Sequence, residues 1–311
     1  MGAGTPGRAD GRLLIACSGG PDSMALLDVA DRWRELTGAF VAVGHVDHGV
    51  RGLASRADAA FVQKECAKRN LPFGIRRVPV RAWARRRRRG LEDAARELRY
   101  QALAQMARRF RCAEVATAHT LDDQVETVFL NLLRGTGPAG LGGMSESSGW
   151  PFSGRDKNPR LIRPFLNVPK KEILRYLRSR KISFRVDGSN ALPLFLRNRL
   201  RPVLRTWETL RPGFFQRVAQ TAKILREEEG FWRTRFGVRR KRLQIRLERA
   251  SFMRYHVAEQ RRRLRHLYGL TRFDVLERVR LFVSDNARGP LDIPGGRVSK
   301  TGAYLTFRRC R

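Results

Sequence analysis

A glycine-containing turn, residues 18–23, separates an apolar run, residues 13–17, from an amphipathic pattern that begins at Met24. The run predicts a buried strand and the pattern predicts a helix, so the turn joins a strand end to a helix start. Glycines let backbone N–H groups approach an oxyanion, and the helix start adds partial positive charge. The alternative is an ordinary strand–helix turn in which Asp or Ser caps the helix. The turn consists of Ser18, Gly19, Gly20, Pro21, Asp22 and Ser23.

Asp22 is the unusual member of this turn. A carboxylate beside a polyphosphate repels it unless a divalent cation lies between them, so Asp22 predicts Mg²⁺ at the site. Ser18 and Ser23 add hydroxyl donors for phosphate oxygens. The turn lacks the Gly-Lys-Ser/Thr ending of a Walker A loop and is therefore not an ordinary P-loop.

The net charge indicates a polyanionic partner. Lys and Arg number 64 against 29 Asp and Glu, which gives a formal net charge of +35. Such a charge attracts nucleic acid by long-range steering and counterion release. An Arg-rich proteome and an acidic membrane surface are the alternatives. The basic residues are spread along the whole chain, which disfavours a membrane-binding amphipathic segment.

Cysteine usage and hydropathy predict a cytoplasmic protein. Hydrophobic residues make up 42% of the chain, which is enough for real cores. No run is long and apolar enough to span a membrane, and residues 1–12 do not resemble a signal peptide. The cysteines have neither zinc spacing nor the spacing of a disulfide framework. They are Cys17, Cys66, Cys112 and Cys310.

Strand-like and helix-like patterns alternate over residues 13–180. This alternation predicts an α/β fold, a Rossmann-like parallel sheet with helices on both faces. Long helices followed by short strands then predict a smaller basic α+β domain at the C-terminal end. We therefore expect a catalytic domain over residues 1–208 and a basic domain over residues 209–311, whose Lys and Arg content suits RNA binding; a basic helical bundle with a structural role is the alternative. The predicted strands are 13–17, 39–46, 73–80, 113–118 and 161–165, and the predicted helices are 57–67, 92–110, 121–134, 169–180, 214–233, 250–268 and 271–283.

A second motif, residues 119–127 (His-Thr-Leu-Asp-Asp-Gln-Val-Glu-Thr), follows the predicted fourth strand. Asp122 and Glu126 are four residues apart and share one face at the start of a helix. The helix dipole alone favours acids in a first turn, but the preceding histidine adds a group suited to metal positioning and acid–base chemistry. Ligands bind at the carboxyl ends of parallel strands. We therefore expect this motif, residues 18–23 and Asp47 to share one edge of the sheet.

Two segments have open interpretations. Residues 135–153 are rich in Gly and Ser and form either an ordinary surface loop or a flap over the active site. Residues 85–89 are consecutive arginines. Such a run is usually a solvated face, but its basic neighbours favour contact with RNA phosphates.

Several motifs together resemble one family. The turn at residues 18–23 is similar to the loop of the adenylating N-type ATP pyrophosphatases, the PP-loop superfamily. Within it, the chain resembles the tRNA(Ile)-lysidine synthetases closely over residues 12–210 and more loosely beyond. The further motifs are His45-Val-Asp-His-Gly-Val-Arg51, Gly90-Leu-Glu-Asp-Ala-Ala-Arg96-Glu-Leu-Arg99-Tyr100, residues 119–127, Arg134-Gly-Thr-Gly137, Gly140-Leu141, Arg163-Pro164, Asp187-Gly-Ser-Asn190 and Arg197-Asn-Arg-Leu-Arg201.

The resemblance implies an ATP-dependent ligase that acts on tRNA. In that family ATP adenylates the C2 oxygen of the wobble cytidine of tRNA(Ile) with a CAU anticodon and releases diphosphate. The side-chain amine of lysine then displaces AMP to give lysidine. ATP and Mg²⁺ are the implied cofactors, tRNA and L-lysine the implied partners, and relatives suggest a homodimer and no membrane.

Three other functions are the alternatives to this ligase. A tRNA thiolase of the same superfamily is disfavoured because no Cys-x-x-Cys pair is present. An ammonia-using ligase does not explain the charge. A non-catalytic RNA-binding protein does not explain the acidic residues.

The resemblance also implies roles for individual residues. Catalysis is expected of Asp22, Asp123 and Glu126, with Asp22 and Asp123 holding the metal ion. The lysine amine is protonated at neutral pH, because its pKa is about 10.4. Whether Asp122, Asp123 or Glu126 takes the proton stays open. Besides residues 18–23, the expected ATP contacts are Asp47, His48 and His119, and the expected tRNA or lysine contacts are Arg51, Arg96, Arg99, Arg197, Asn198 and Arg201.

Overall fold

The chain forms two compact units. The first comprises Met1–Thr127 and Met144–Ala219, and the second comprises Val128–Gly143 and Gln220–Arg311. Residues 209–219 group with the first unit, and the functional division at residues 208 and 209 stays a prediction. The computed structural model describes residues 11–49, 53–152, 158–185, 196–236, 244–270, 272–285 and 289–309.

The first unit is built on a mostly parallel sheet. The elements up to residue 210, in chain order, are β1 (Arg12–Ala16), α1 (Pro21–Thr37), β2 (Phe40–Asp47), α2 (Leu53–Lys68), β3 (Phe73–Arg77), α3 (Val80–Arg87), α4 (Leu91–Arg109), β4 (Glu114–Ala116), α5 (Leu121–Leu133), α6 (Pro138–Leu141), β5 (Ser147–Ser148), β6 (Arg160–Ile162), α7 (Lys170–Ser179) and α8 (Leu196–Leu210). Of these, α6 and the part of α5 from Val128 group with the second unit. Among the described residues the strand order is β3-β2-β1-β4-β6-β5, and every pair is parallel except β5 with β6.

Strand β1 lies inside the sheet and is apolar on both faces. Leu14 packs in a core with Leu103 of α4, whereas Ile15 packs in a core with Leu27 of α1. Successive side chains of a strand point to opposite faces, so a fully apolar strand needs a helix on each side. This arrangement confirms the predicted α/β class and brings the carboxyl ends of β1, β2 and β4 to one edge.

Two helices of the first unit differ from the prediction. The predicted strand 73–80 ends at Arg77, and α3 begins at Val80 after Pro79, which occupies its N-cap position. Helix α8 was not predicted, because Pro202 lies inside it and interrupts the expected helical signal. Its buried side chains, Leu200 and Leu204, nevertheless lie four residues apart on one face.

The second unit contains an antiparallel sheet and several helices, which confirms the predicted α+β class. The remaining elements of the chain are α9 (Phe214–Phe236), β7 (Gln244–Glu248), α10 (Arg249–Arg254), α11 (Val257–Tyr268), α12 (Phe273–Ser284), β8 (Leu291–Ile293), β9 (Gly296–Thr301) and β10 (Tyr304–Arg309). The sheet order is β7-β10-β9-β8, and Phe252, Leu264 and Leu305 are fully buried in its core. The predicted helix 250–268 is divided at His256, which caps α11. Within the described ranges no helix is both long and apolar enough to cross a membrane.

Candidate active site

The turn at residues 18–23 leaves β1 and enters α1, and its own hydroxyl groups brace it. The Ser18 backbone N–H donates to Oγ of Ser23 over 3.2 Å, and that hydroxyl donates to the carbonyl of Gly20 over 3.0 Å. Gly19 has φ +88°, a left-handed conformation that glycine adopts without strain. The turn is therefore preformed, with its backbone bent around the start of α1.

The outer side of the turn packs closely against α2. A Cβ atom at Gly19 would lie 3.3 Å from Cγ2 of Val62. The backbone N–H of Arg185 donates to the carbonyl of Gly19 over 2.9 Å, and its guanidinium pairs with Asp58 at 3.1 Å. Gly19 is therefore required both for its backbone conformation and for the close approach of α2.

Lys170, the first residue of α7, connects the first turns of three helices. Its Nζ lies 2.9 Å from Oδ2 of Asp22 in α1, and its backbone N–H donates to Oδ2 of Asp122 in α5 over 2.9 Å. Oδ1 of Asp22 is buried and has no hydrogen-bond partner among the described residues. Burial raises the pKa of Asp22, Lys170 opposes this shift, and the charges of Asp123 and Asp122 add to it. One oxygen of Asp22 is thus left available in an environment that disfavours uncompensated negative charge.

Asp123 and Thr120 form a capping box at the start of α5. Oδ2 of Asp123 accepts from the backbone N–H of Thr120 at 2.9 Å and from its Oγ1 at 3.0 Å. In return the backbone N–H of Asp123 donates to Oγ1 of Thr120 over 3.3 Å. Burial acts to raise the pKa of Asp123, but His119, the Thr120 N–H group and Arg197 outweigh burial and hold it below its usual value. Asp123 therefore stays ionised with one oxygen engaged by the fold.

His119, between β4 and α5, is neutral at neutral pH, and its charge acts on Asp123 only in the acidic range where both groups titrate. Its Nδ1 lies 2.9 Å from Oγ1 of Thr117. Burial lowers the pKa of His119 to about 3; Asp123 opposes this shift, whereas nearby arginines add to it. A neutral imidazole positions neighbouring groups by hydrogen bonding and does not serve as a proton donor at neutral pH.

Glu126 is buried one helical turn beyond Asp123 and is neutralised by two arginines of α8. Nε of Arg201 lies 2.6 Å from Oε1 of Glu126, and Nε of Arg197 lies 3.1 Å from Oε2. Burial raises the pKa of Glu126, and the hydrogen bonds from Arg201 oppose this shift. Nη2 of Arg201 also lies 4.0 Å from Oδ1 of Asp123. The unpredicted helix α8 therefore supplies the positive charge on this side of the site.

Three arginines near His119 have no acidic partner among the described residues. In the described part of the chain, no carboxylate lies within ion-pair distance of Arg96, Arg99 or Arg163. The guanidinium carbons of Arg96 and Arg99 lie 5.2 and 5.5 Å from the ring centroid of the buried Tyr100. Burial lowers the pKa of both Arg99 and Arg163, and all three arginines act to lower the pKa of His119. Uncompensated positive charge at this position is suited to an anion.

The end of β2 supports the turn from the other neighbouring strand. Nδ1 of the buried His45 donates to the carbonyl of Cys17 over 2.9 Å, and burial lowers the pKa of His45. Oδ1 of Asp47 accepts from the backbone N–H of Gly49 over 2.8 Å, and Nε of Arg77 lies 3.8 Å from its Oδ2. Asp47 is buried, and its carboxylate stabilises its own loop through the hydrogen bond from Gly49.

The structure thus brings predicted residues of helices α1, α4, α5 and α8 into one region. Lys170 links Asp22 to the start of α5, and Arg201 links Glu126 to Asp123. Their catalytic and metal-binding roles, and the ATP contacts of Asp47 and His119, stay predictions. Asn198 lies in α8 between the two arginines that pair with Glu126, and His48 follows Asp47. The predicted contact Arg51 and the segment 187–190 lie outside the described residues.

Part of the segment 135–153 is held to the rest of the first unit by hydrogen bonds. Nε2 of Gln124 donates to the carbonyl of Met144 over 3.1 Å, and the Met144 N–H donates back to Oε1 of Gln124 over 2.8 Å. Nη1 of Arg163 donates to the carbonyl of Ser145 over 2.6 Å. These contacts favour an ordered surface connection over a flap for residues 144–148.

Lys170, Thr120 and Arg163 belong to the site but were not predicted as functional residues. A lysine in the first turn of a helix opposes the helix dipole, which marks Lys170 as a residue in need of a partner. The spacing of Thr120 and Asp123 is that of a capping box. Arg163 belongs to the motif Arg163-Pro164, which carried part of the family resemblance, but nothing in the residue pattern indicates its burial.

These features define a Rossmann-like α/β protein with a preformed oxyanion-binding turn after its first strand and clustered carboxylates at the same edge. Comparison with known families is specific: residues 4–207 match the family model described as the PP-loop domain. The chain therefore belongs to the PP-loop family.

Relatives and a solved structure agree with this assignment. The chain is 40% identical over 221 residues to a tRNA(Ile)-lysidine synthase of Symbiobacterium thermophilum, covering 70% of this chain and 44% of the relative. It is 35% identical over 266 residues to that of Dehalococcoides mccartyi, covering 83% and 56%. The chain spans about half the length of these relatives. The U34-tRNA thiolase NcsA from Methanococcus maripaludis matches with a TM-score of 0.60 at 17% identity over 71% of this chain and 74% of that one, which shows the fold alone.

Proposed function

We propose that the chain is an ATP-dependent ligase that joins lysine to C2 of the wobble cytidine of tRNA(Ile) with a CAU anticodon. The reaction proceeds through an adenylated cytidine, with AMP and diphosphate as the other products. The names of the relatives support this proposal. The observation that carries it is the link through Lys170, which joins the phosphate-binding turn to the carboxylates of α5.

The turn at residues 18–23 is proposed to hold the phosphates of ATP. Mg²⁺ prefers one or two carboxylates together with phosphate oxygens and waters. Asp22 offers a buried oxygen without a partner, and Asp123 is near enough to raise the pKa of Asp22. No cage of three or more His, Cys, Asp or Glu side chains occurs in the described ranges. The residues fit Mg²⁺, which offsets charge developing on the phosphates when bound.

Asp123 and Glu126 are proposed to receive the lysine amine. Asp122 is already engaged, because it accepts the N–H at the start of α7. Glu126 forms ion pairs with two arginines, so it is better suited to holding those cations in place than to taking a proton. Asp123 is ionised and its Oδ1 accepts no hydrogen bond among the described residues, so it is proposed to bind the amine; its lowered pKa makes it a weak base.

The three arginines near His119 are proposed to bind an anionic group of the RNA, the adenylate or the lysine carboxylate. Arginine suits these ligands because its planar guanidinium donates two parallel hydrogen bonds. The basic second unit is proposed as a further tRNA-binding domain. The homodimer and the cytoplasmic location stay predictions of the sequence.

The state of the three described thiols disfavours sulfur chemistry at these positions. Cys17, Cys66 and Cys112 are all buried. Burial raises the pKa of Cys17, that of Cys66 to about 12 and that of Cys112 to about 11. None of these three is therefore a reactive thiolate at neutral pH.

The test is incorporation of labelled lysine into a tRNA(Ile) transcript with a CAU anticodon, with and without ATP. Label is expected in RNA only with ATP, and Asp22→Asn is expected to lower both incorporation and diphosphate release on the order of 100-fold. Asp93→Asn is the matched control, since Asp93 lies in the first turn of α4 and is exposed. ATP-dependent entry of sulfur, or wild-type protein that transfers no lysine, would reject the proposal.

A further inference from the structure

The hairpin of α3 and α4 carries a basic surface that the candidate active site does not use. We name it the arginine tip: Arg81, Arg85, Arg86, Arg87, Arg88 and Arg89. All six side chains are exposed. Among the described residues only Arg89 has a carboxylate partner, Glu97, at 3.3 Å.

The tip is a fixed feature of the fold. Val80 and Ala84 of α3 are buried against Ala94 and Leu98 of α4. Nε1 of Trp83 lies 3.4 Å from Oε2 of Glu97, the same carboxylate that pairs with Arg89. With its inner face held in this way, α3 must present its arginines outward.

The spacing of the arginines has a cost. Arg81 and Arg85 are four residues apart in α3 and share one face, and like charges at this spacing destabilise a helix. Arg88 follows as the C-cap of α3 in a left-handed conformation. The helix dipole favours basic residues in the last turn of α3, which accounts for one or two of them. The acidic residues Glu92 and Asp93, in the next helix, form no ion pair with the run. A run of like charges that, apart from Arg89, has no carboxylate partner among the described residues is suited to a polyanion from outside the chain.

Helix α4 connects the tip to the candidate active site. It begins at Leu91, directly after the tip, and carries Arg96 and Arg99 on the way to the sheet. At 1.5 Å per residue, these arginines lie about 8 and about 12 Å along the helix from its start. Basic side chains therefore continue along one helix from the surface to His119, the course that an RNA strand entering the site would follow.

We propose that the arginine tip binds the phosphate backbone of the RNA next to the reacting nucleotide. This inference rests on the proposed function for the choice of RNA as partner. It names a positioning surface that acts on RNA affinity and leaves the chemical step unchanged. Because phosphate contacts carry no sequence information, the tip contributes affinity and register without selecting the anticodon.

The test compares two triple variants with the same loss of charge. Arg81→Gln, Arg85→Gln and Arg88→Gln together remove three charges from the tip. Arg108→Gln, Arg109→Gln and Arg111→Gln together remove three exposed charges from the other end of α4. The control is also matched in backbone, since Arg88 and Arg111 have φ of +49° and +55°. A third variant with Lys at the three tip positions keeps the charge.

Binding of the tRNA transcript is measured over a salt series centred on about 0.15 M. Loss of three phosphate contacts is expected to weaken binding roughly tenfold or more and to lower the slope of log K against log salt by about 2. The Lys variant and the control triple are expected to bind as the wild type does. Equal binding of tRNA by the tip and control triples would overturn the inference. Binding to phosphatidylglycerol vesicles is measured alongside, and a tip triple that loses vesicle binding but keeps tRNA binding would also overturn it.

Lysine incorporation by the same preparations separates this inference from the proposed function. An unchanged kcat with a raised KM for tRNA in the tip triple supports the inference. If the wild type transfers lysine and the tip triple has an unchanged KM for tRNA, the proposed function is kept and RNA binding by the arginine tip is rejected. If the wild type binds RNA through the tip but transfers no lysine, RNA binding by the tip is kept and the proposed function is rejected.

Discussion

Replacing Thr120 with valine removes the hydroxyl from the capping box of α5 and keeps the shape of the side chain. Thr120 is only 1% exposed, so valine fills the same buried volume without a cavity. Two hydrogen bonds are lost, from Oγ1 to Asp123 and from the Asp123 N–H to Oγ1. The bond from the Thr120 backbone N–H to Asp123 remains.

The expected cost follows from these two bonds. Loss of a side-chain cap costs about 1 kcal/mol, and a hydrogen bond to a carboxylate contributes about 1.5 to 3 kcal/mol. Both belong to one box and overlap, so the free energy of unfolding should fall by about 2 kcal/mol. With a slope of about 3 kcal/mol per molar urea, the midpoint should fall by about 0.7 M. Asp123 should also lose part of the stabilisation of its charged form, so its pKa should rise.

Urea unfolding followed by tryptophan fluorescence measures this change. The control is Thr209→Val, which removes an exposed hydroxyl that donates within α8. A midpoint for Thr120→Val equal to that of Thr209→Val would refute the reasoning, because the box would then contribute nothing. The signal reports mainly on the first unit, which holds four of the five tryptophans, Trp33, Trp83, Trp150 and Trp207.

Three further changes have defined outcomes. Gly19→Ala places a Cβ in a left-handed conformation at 3.3 Å from α2 and should lower the free energy of unfolding by about 1–2 kcal/mol; an unchanged urea midpoint would contradict this. Lys170→Met removes the cation from Asp22, whose pKa should rise further, so the acid limb of the pH–rate profile should move to higher pH; an unmoved limb speaks against the pair. Two arginines hold the pKa of Glu277 at about 2 against an ordinary 4.5. Its stabilising contribution is therefore full above pH 4.5 and is lost as the pH falls toward 2. Glu277→Gln should weaken the dependence of the melting temperature on pH over that interval. A variant whose melting temperature changes with pH as steeply as that of the wild type would count against the pairing.

Local patterns predicted the elements whose periodicity matches their burial. Helix α4 was predicted within one residue at each end, because its buried residues Leu98, Ala102 and Met106 repeat every four positions. Strand β1 was recognised by its continuous apolar run. In α8, by contrast, arginines and Pro202 dominate the pattern, and only packing reveals Leu200 and Leu204 as its buried face.

The candidate site was predictable in its parts but not in its connections. The acidic residues of α5 and the turn at residues 18–23 follow from motifs. The contact between Lys170 and Asp22 joins positions 148 residues apart, and no local pattern encodes a contact over such a distance. The pairing of Glu126 with α8 has the same origin. Predicted individually, these residues acquire their partners only through the order of strands in the sheet.

The meeting of α1, α5 and α7 at Lys170 has a consequence for mutagenesis. Each helix contributes the electric field of its peptide groups at its N-terminal end, and here three such fields add in one small volume. Peptide dipoles persist when a side chain is replaced. Single substitutions at this edge should therefore slow turnover while leaving a residual attraction for phosphate groups.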